Sequence, residues 1–179
     1  QNTGIDVNVS GRLINGRVTW DAGISLGKYN NKVTAVPETV YTEYAGATYI
    51  TQNGQAANAF YGYKFDGVYS TEAETASAGL GSLGFAGNKI PFTAGDAKFV
   101  DKNGDKIIDD QDRFILGSPN PELFGGMNHT VAYKKWRLSA LFTFNSGNEV
   151  YNYTRGQLES GKNFYNQTDL MLNRWRAEG

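Results

Sequence analysis

The sequence predicts an all-β fold built on antiparallel hairpins whose arms are long enough to cross a bilayer. Three observations carry that expectation. Of 179 residues, 22 are Gly, 11 are Tyr and 10 are Phe, a turn-rich and aromatic composition that suits strands. Two pairs of alternating runs have arms of about 12 residues, where an ordinary strand has about 5–6. Aromatic rings flank those arms, with Tyr133 and Trp136 at one end and Tyr29 and Tyr151 at the other. Membrane barrels mark their two lipid–water interfaces in this way, although a soluble sandwich can scatter rings similarly.

Composition excludes several other classes. Lys+Arg 17 against Asp+Glu 18 gives a net charge of -1, which offers no basic face to nucleic acid. There are no cysteines, hence no disulfides, thiolate metal sites or cysteine nucleophiles. No stretch approaches the roughly 18 apolar residues of a membrane-spanning helix, the densest being 138–144. Gln1 opens directly into patterned sequence, so no signal peptide is expected. These exclusions leave strand-built membrane proteins untouched, because their overall hydropathy is ordinary.

The first hairpin is read at 3–14 and 17–28. Ile5, Val7, Val9 and Leu13 alternate with polar residues, and so do Val18, Trp20, Ala22, Ile24 and Leu26. Asn15-Gly16 between them is a strong type I′ turn signal, since both residues tolerate positive φ. The second hairpin alternates less cleanly through Leu123, Met127, Val131 and Tyr133. It resumes after Lys134-Lys135 through Trp136, Leu138, Ala140, Phe142 and Phe144. Lys-Lys is a poor type I′ pair, so the register of this turn stays open. Between the hairpins, Ala59, Tyr61, Tyr63, Phe65 and Tyr69 suggest one strand face, paired with 40–51. Residues 71–77 read as a helical turn or two, and 79–88 as loop. After Asn145-Ser146-Gly147 the chain turns polar and weakly helical, with Asn166 or Thr168 as N-caps ahead of 170–176.

The sharpest local motif runs from Asp101 to Asp112. Asp101, Asn103, Asp105, Asp109 and Asp112 occupy positions one, three, five, nine and twelve of an EF-hand-type loop. Ile107 would offer its carbonyl at position seven, and Ile108 is the hydrophobic anchor. Calcium suits this set because it is hard and takes six to eight oxygens in flexible geometry. Two features depart from the pattern: Lys106 stands where glycine makes the sharp turn, and Asp112 is shorter than Glu. The alternative is a solvated acidic loop closed by Asx turns. Gly79-Leu80-Gly81-Ser82-Leu83-Gly84 spells G-x-G-x-x-G, but no hydrophobic strand precedes it and no helix follows, so it reads as loop. His129 is the only histidine and has no nucleophile motif beside it, which favours a structural or interfacial role. No acid/base pair stands out, and no enzyme is expected. Tyr61, Tyr63, Phe65 and Tyr69 are candidates for stacking a substrate, with packing of a loop core as the commoner use of such rings.

Three linked segments then resemble a known family. They are Gly95-Asp96-Ala97-Lys98-Phe99-Val100-Asp101 with Asn103-Gly104-Asp105, then Ile108-Asp109-Asp110-Gln111-Asp112-Arg113, then Leu116-Gly117-Ser118-Pro119-Asn120-Pro121. Together they resemble the C-terminal signature of SusC/RagA-type TonB-linked outer-membrane transporters. The likeness continues through Phe124-Gly125-Gly126-Met127-Asn128, Tyr133-Lys134-Lys135-Trp136-Arg137-Leu138-Ser139, Gly147-Asn148-Glu149-Val150-Tyr151-Asn152 and Asn173-Arg174-Trp175. Residues 30–34 and 61–69 match further segments. Lys106 is the clearest departure. The resemblance implies a segment of a large antiparallel transmembrane β-barrel of about 22 strands, with long extracellular loops and minor helix. It implies import of glycan oligomers or peptides across the cell outer membrane, with a SusD-like surface lipoprotein as lid. TonB would act through N-terminal segments outside this chain, and outer-membrane lipid would surround the wall. The whole chain is then expected to be roughly five times longer.

Barrel topology adds its own expectations. Short turns face the periplasm and long loops face outward, so 15–16 and 134–135 should both be periplasmic. Residues 29–121 must then cross the membrane an even number of times, and zero crossings is the expectation. The resulting division is a barrel hairpin at 1–28, an extracellular region at 29–121 carrying the calcium-type loop 101–112, a barrel hairpin at 122–147, and a partly helical extracellular loop at 148–179. The competing class is a secreted, calcium-stabilised β-sandwich that binds carbohydrate. It would bury the odd positions of 3–14 and the even positions of 18–26, whereas a barrel leaves them bare.

Overall fold

The computed structural model describes residues 1–162 and 164–177. In chain order the strands are β1 Asn2–Asn15, β2 Val18–Asn31, β3 Val40–Tyr44, β4 Ala47–Thr51, β5 Ala59–Tyr63 and β6 Phe65–Val68. Helix α1, Glu72–Ala78, precedes β7 Gly81–Leu83, β8 Lys89–Pro91, β9 Ala97–Phe99, β10 Ile107–Ile108 and β11 Arg113–Gly117. The chain ends through β12 Leu123–Tyr133, β13 Trp136–Ser146 and helix α2 Tyr153–Glu159. Two compact units result, one of residues 1–42, 49–59 and 117–150, the other of 43–48, 60–116 and 151–179.

The first unit is dominated by one antiparallel sheet in the order β1-β2-β12-β13. β2 pairs directly with β12 from Val18 opposite Tyr133 to Lys28 opposite Leu123, and no strand from the intervening chain is inserted between them. The registers align residues into rows. On one face run Val7–Leu26–Gly125–Phe144, Val9–Ile24–Met127–Phe142 and Ile14–Trp20–Val131–Leu138. On the other run Asn8–Ser25–Gly126–Thr143 and Arg12–Asp21–Thr130–Ser139. Cross-strand bonds hold the polar face, with Asn8 Nδ2 donating to Ser25 Oγ at 2.6 Å and Arg12 Nε to Asp21 Oδ1 at 2.8 Å. The apolar face is bare, with Ile5 73% and Leu138 71% exposed. A sandwich buries such a face against a second sheet, so that class does not describe this unit.

Aromatic rings lie across glycines of this sheet. A Cβ at Gly27 would stand 2.5 Å from Phe124 Cζ, and one at Gly125 would strike the Ser25 carbonyl and come 3.1 Å from Phe144 Cζ. The glycines let rings lie flat on the backbone where the strands approach closely. His129 lies on the apolar face in the row Gly11–Ala22–His129–Ala140. There the Trp20 indole Nε1–H donates to its Nδ1 at 3.4 Å.

The first turn departs from expectation. Neither Asn15 nor Gly16 has positive φ, so Asn15-Gly16 is not a type I′ pair. Instead, Asn15 faces Thr19 across a three-residue loop, and a bulge between Arg12 and Ile14 shifts the register. The extra residue puts Ile14, not Leu13, opposite Trp20. A type I′ sign pattern occurs at Ala45-Gly46, with φ of 52° and 81°. Lys134-Lys135 is a true two-residue connection, since Tyr133 faces Trp136. Lys134 has φ +54° and Lys135 is not in the positive region, the sign pattern of a type II′ turn.

The single strand expected over 59–69 is two. β5 stops at Tyr63, and β6 pairs with β9, Phe65 opposite Phe99. A register irregularity and Gly67, at φ +103°, interrupt that second pairing. β4 is the neighbour of β5 in a sheet of order β11-β5-β4-β3. In the second unit, α1 begins at Thr71, whose Oγ1 accepts from Glu74 N–H, and ends at Gly79 in the left-handed conformation. Within the glycine-rich 79–88 segment, β7 pairs in parallel with β10 and antiparallel with β8. Asn152 caps α2 by accepting from Arg155 N–H at 2.9 Å. The helix expected over 170–176 is only a 3-10 turn at Asp169–Asn173, with Thr168 before it but making no side-chain cap.

Candidate functional site

Short polar side chains two to five residues apart bond readily to their own backbone, and loop 101–112 is built that way. Asp101 Oδ1 accepts from Gly104 N–H at 2.7 Å and its Oδ2 from Lys106 N–H at 2.9 Å. Asn103 accepts from Asp105 N–H at 3.0 Å, and Asp105 from Ile107 N–H at 2.7 Å. Asp109 accepts from Gln111 N–H at 2.8 Å. Asp112 is fully buried and takes two N–H groups, from Lys102 at 2.8 Å and Asp109 at 2.9 Å. Lys106 reaches φ +67° and so makes the turn that glycine was expected to make, with Gly104 also left-handed at φ +79°. Ile108 is buried, as an anchor should be.

The donor set therefore has the chemistry of a calcium loop, while its side chains face backbone N–H groups. Among the described residues, no three acidic or histidine side chains converge on a common point. A cation would have to draw several of these carboxylates toward one centre.

Three of the four rings singled out in the sequence are linked through shared partners, Tyr61 with Tyr63 by Arg113 and Tyr63 with Phe65 by Phe99, while Tyr69 stands apart. Tyr61 and Tyr63 lie on β5, where the Arg113 guanidinium sits over both, 6.0 and 5.3 Å from the ring centres. Tyr63 also meets Phe99 at 5.6 Å, and Phe65 meets the same ring at 6.4 Å. Tyr69 is 2% exposed and stacks on Phe92 at 5.9 Å, so it is a core residue and presents no face to a ligand. Burial pushes its phenol pKa up.

Arg113 is the organising residue that pattern reasoning missed. It pairs with Asp110 at 2.8 Å, and Tyr63 Oη donates to the same Asp110 oxygen at 3.4 Å. The Tyr63 hydroxyl, ahead of the Asp110 charge, pushes the guanidinium pKa further up. A second pair, Lys98 with Glu74, ties β9 to α1. The Lys98 bond and then the Ser70 N–H hold the Glu74 carboxyl below its ordinary range. Beside Arg113, a shallow cavity of about 450 Å³ is lined by Tyr63, Phe92, Phe99, Ser82, Asp109 and Asp110, among others. Its lining combines apolar Leu83, Phe92, Phe99 and Ile108 with two hydroxyls and the carboxylates of Asp109 and Asp110, so it suits a ligand that joins an apolar face to hydrogen-bond donors. Gly79 to Gly84 follows a helix and runs into β7, which leaves no strand–turn–helix for a dinucleotide.

No family model matches the chain. TonB-dependent receptor P3 of Formosa agariphila is 29% identical over 184 residues, covering 98% of this chain and 18% of that protein. TonB-dependent receptor P26 of the same organism is 33% identical over 125 residues, 70% of this chain and 12% of that protein. A structure of the RagAB peptide transporter matches 98% of this chain and 18% of its own, with a TM-score of 0.63 and 20% identity. The chain thus spans less than a fifth of these relatives. The bare apolar face and long hairpins are what an outer-membrane barrel wall requires, and the chain belongs to the TonB-dependent outer-membrane receptors.

Proposed function

We propose that this chain contributes four wall strands and a large outer excursion to a SusC/RagA-type transporter, which imports glycan oligomers or peptides with a SusD-like surface lipoprotein and draws energy through TonB. The observation that carries the reading is the β2–β12 seam. The wall continues in register across residues 32–122, as it does when both ends of an excursion leave the same rim. The linked signature at 95–121 and the fold likeness to RagAB support the subtype. In this reading the excursion faces outward, and the cavity beside Arg113 is where substrate is touched.

The test uses the full-length receptor in its own cells. Loss of the receptor, or of TonB, should abolish uptake of a labelled oligosaccharide or peptide, and a surface lipoprotein should co-purify with it. Uptake unchanged by both losses refutes the transport reading. Calcium at 101–112 is part of the same proposal, supported by the donor spacing and by Lys106 having taken the glycine conformation. Calcium should slow hydrogen exchange across 101–112 in the full-length receptor. Unchanged exchange refutes the metal and leaves the hydrogen-bonded loop as the whole account.

A further inference from the structure

The two short turns of the wall carry a charge pattern that spanning the membrane does not need. Arg17 lies in the first, Lys134 and Lys135 form the second, and all three are exposed. Among the described residues none of the three has an anionic partner, whereas Arg12 near the same end is neutralised by Asp21. Val18 pairs with Tyr133, so the two turns stand side by side at one end of the sheet. Adjacent strands lie about 4.8 Å apart, so the hairpin centres are about 10 Å apart. The row Val18–Tyr133–Trp136 closes the apolar face there, with Trp136 81% exposed and Lys134 Nζ 5.3 Å from the Tyr133 ring centre.

An apolar face, a rim ring and unpaired cations thus follow one another along the strands. That is the order of groups along a phospholipid: acyl chain, glycerol region, phosphate. We infer that Arg17, Lys134 and Lys135, with Trp136 and Tyr133, form a docking site for the headgroup of an anionic phospholipid of the periplasmic leaflet. The argument is charge complementarity and continuity with the lipid-facing wall, and it rests on the membrane-spanning reading of that wall. Short turns of such barrels face the periplasm, which selects phospholipid over the lipid A of the outer leaflet. In this site the three charged ends bind phosphate oxygens, with Lys134 already beside the Tyr133 ring. Trp136 supplies an indole N–H for the glycerol region and holds the depth of the turn.

The experiment is native mass spectrometry of the detergent-purified, full-length receptor with added phosphatidylglycerol, phosphatidylethanolamine or lipid A. The wild-type receptor should retain phosphatidylglycerol preferentially. Arg17→Gln with Lys134→Gln and Lys135→Gln should weaken that retention by about fivefold for each cation removed. Lys134→Arg with Lys135→Arg keeps the charge and should keep the lipid. Heat-dependent gel mobility of each variant reports separately whether the barrel is folded, so loss of the barrel is distinguished from loss of the site. Equal retention of phosphatidylglycerol by a folded triple variant overturns the site. Preferential loss of lipid A from that variant overturns the leaflet.

Discussion

Arginine placed at Ile24 tests which face of the wall meets lipid. Ile24 stands six residues along β2 from Val18 and four from Lys28. At about 3.4 Å per residue these are roughly 20 and 14 Å of strand. A tilt of about 45° converts them to roughly 14 and 10 Å of depth, so the row spans about 24 Å, against an apolar band of about 25 Å. Ile24 is therefore near the midplane, and Ile24→Arg should cost about 2–4 kcal/mol. Val18→Arg, at the rim, should cost about 0–1 kcal/mol by the same scale. Ser25→Arg, one residue on but in the polar row with Asn8 and Thr143, should cost little. The assay is urea unfolding of the full-length receptor in vesicles, with folded fraction read from heat-dependent gel mobility. Equal costs at Ile24 and Ser25 would falsify the assignment of faces, whatever their size.

Three further outcomes follow from the second unit. Asp112→Ala removes both acceptors that Lys102 and Asp109 N–H groups use in a fully buried position, a loss of about 3 kcal/mol to that loop. Limited proteolysis should then cut within 101–112, and resistance equal to the wild type refutes the role. Lys106→Gly releases a lysine from φ +67°, where an L-residue is strained by about 1–2 kcal/mol. The loop should be stabilised by up to about 1 kcal/mol after the glycine entropy cost, read as slower hydrogen exchange across 101–112. The Glu74–Lys98 pair sets a pH window. Glu74 is held below its ordinary 4.5 and Lys98 above 10.5, so the pair contributes fully between those values. Its contribution is lost as pH falls through the lowered carboxyl value or rises through the raised amine value. Exchange protection of α1 should fall at the acid limb, and Glu74→Gln should abolish that dependence. An unchanged acid limb in Glu74→Gln means that other groups set it.

The wall was legible in the sequence because strand periodicity is a direct imprint of a two-faced sheet. Val7, Val9, Ile24 and Leu26 alternate as the faces do, and their neighbours Met127 and Phe142 complete the rows. The first turn departs from the type I′ expectation because a bulge at Leu13 is invisible to alternation, and Asn-Gly favours a turn wherever it stands. The parallel pairing of β10 with β7 involves two residues of each strand, too few to leave a period. Parity puts Tyr69 on the face of Tyr61 and Tyr63, but that parity breaks where β5 ends and Gly67 turns, and the ring enters the core instead. Donor spacing identified the loop at 101–112, but spacing cannot tell oxygens that meet a cation from oxygens that meet N–H groups. Arg113 ends one of the segments that carry the family likeness, but its role was not legible there, since its partners Tyr61 and Tyr63 lie some fifty residues away in sequence.

The seam between β2 and β12 also decides the order in which this wall assembles. Each hairpin closes over a loop of two or three residues and forms in about 1–10 μs once its arms exist. Joining the hairpins means closing residues 32–122, about 3 kcal/mol more chain entropy than a loop of a few residues demands. The slow step therefore belongs to the seam, and it speeds up when the intervening chain has already folded and drawn its own ends together. A lesion such as Asp112→Ala, which touches no wall residue, should delay insertion of the wall as well as loosen its own loop.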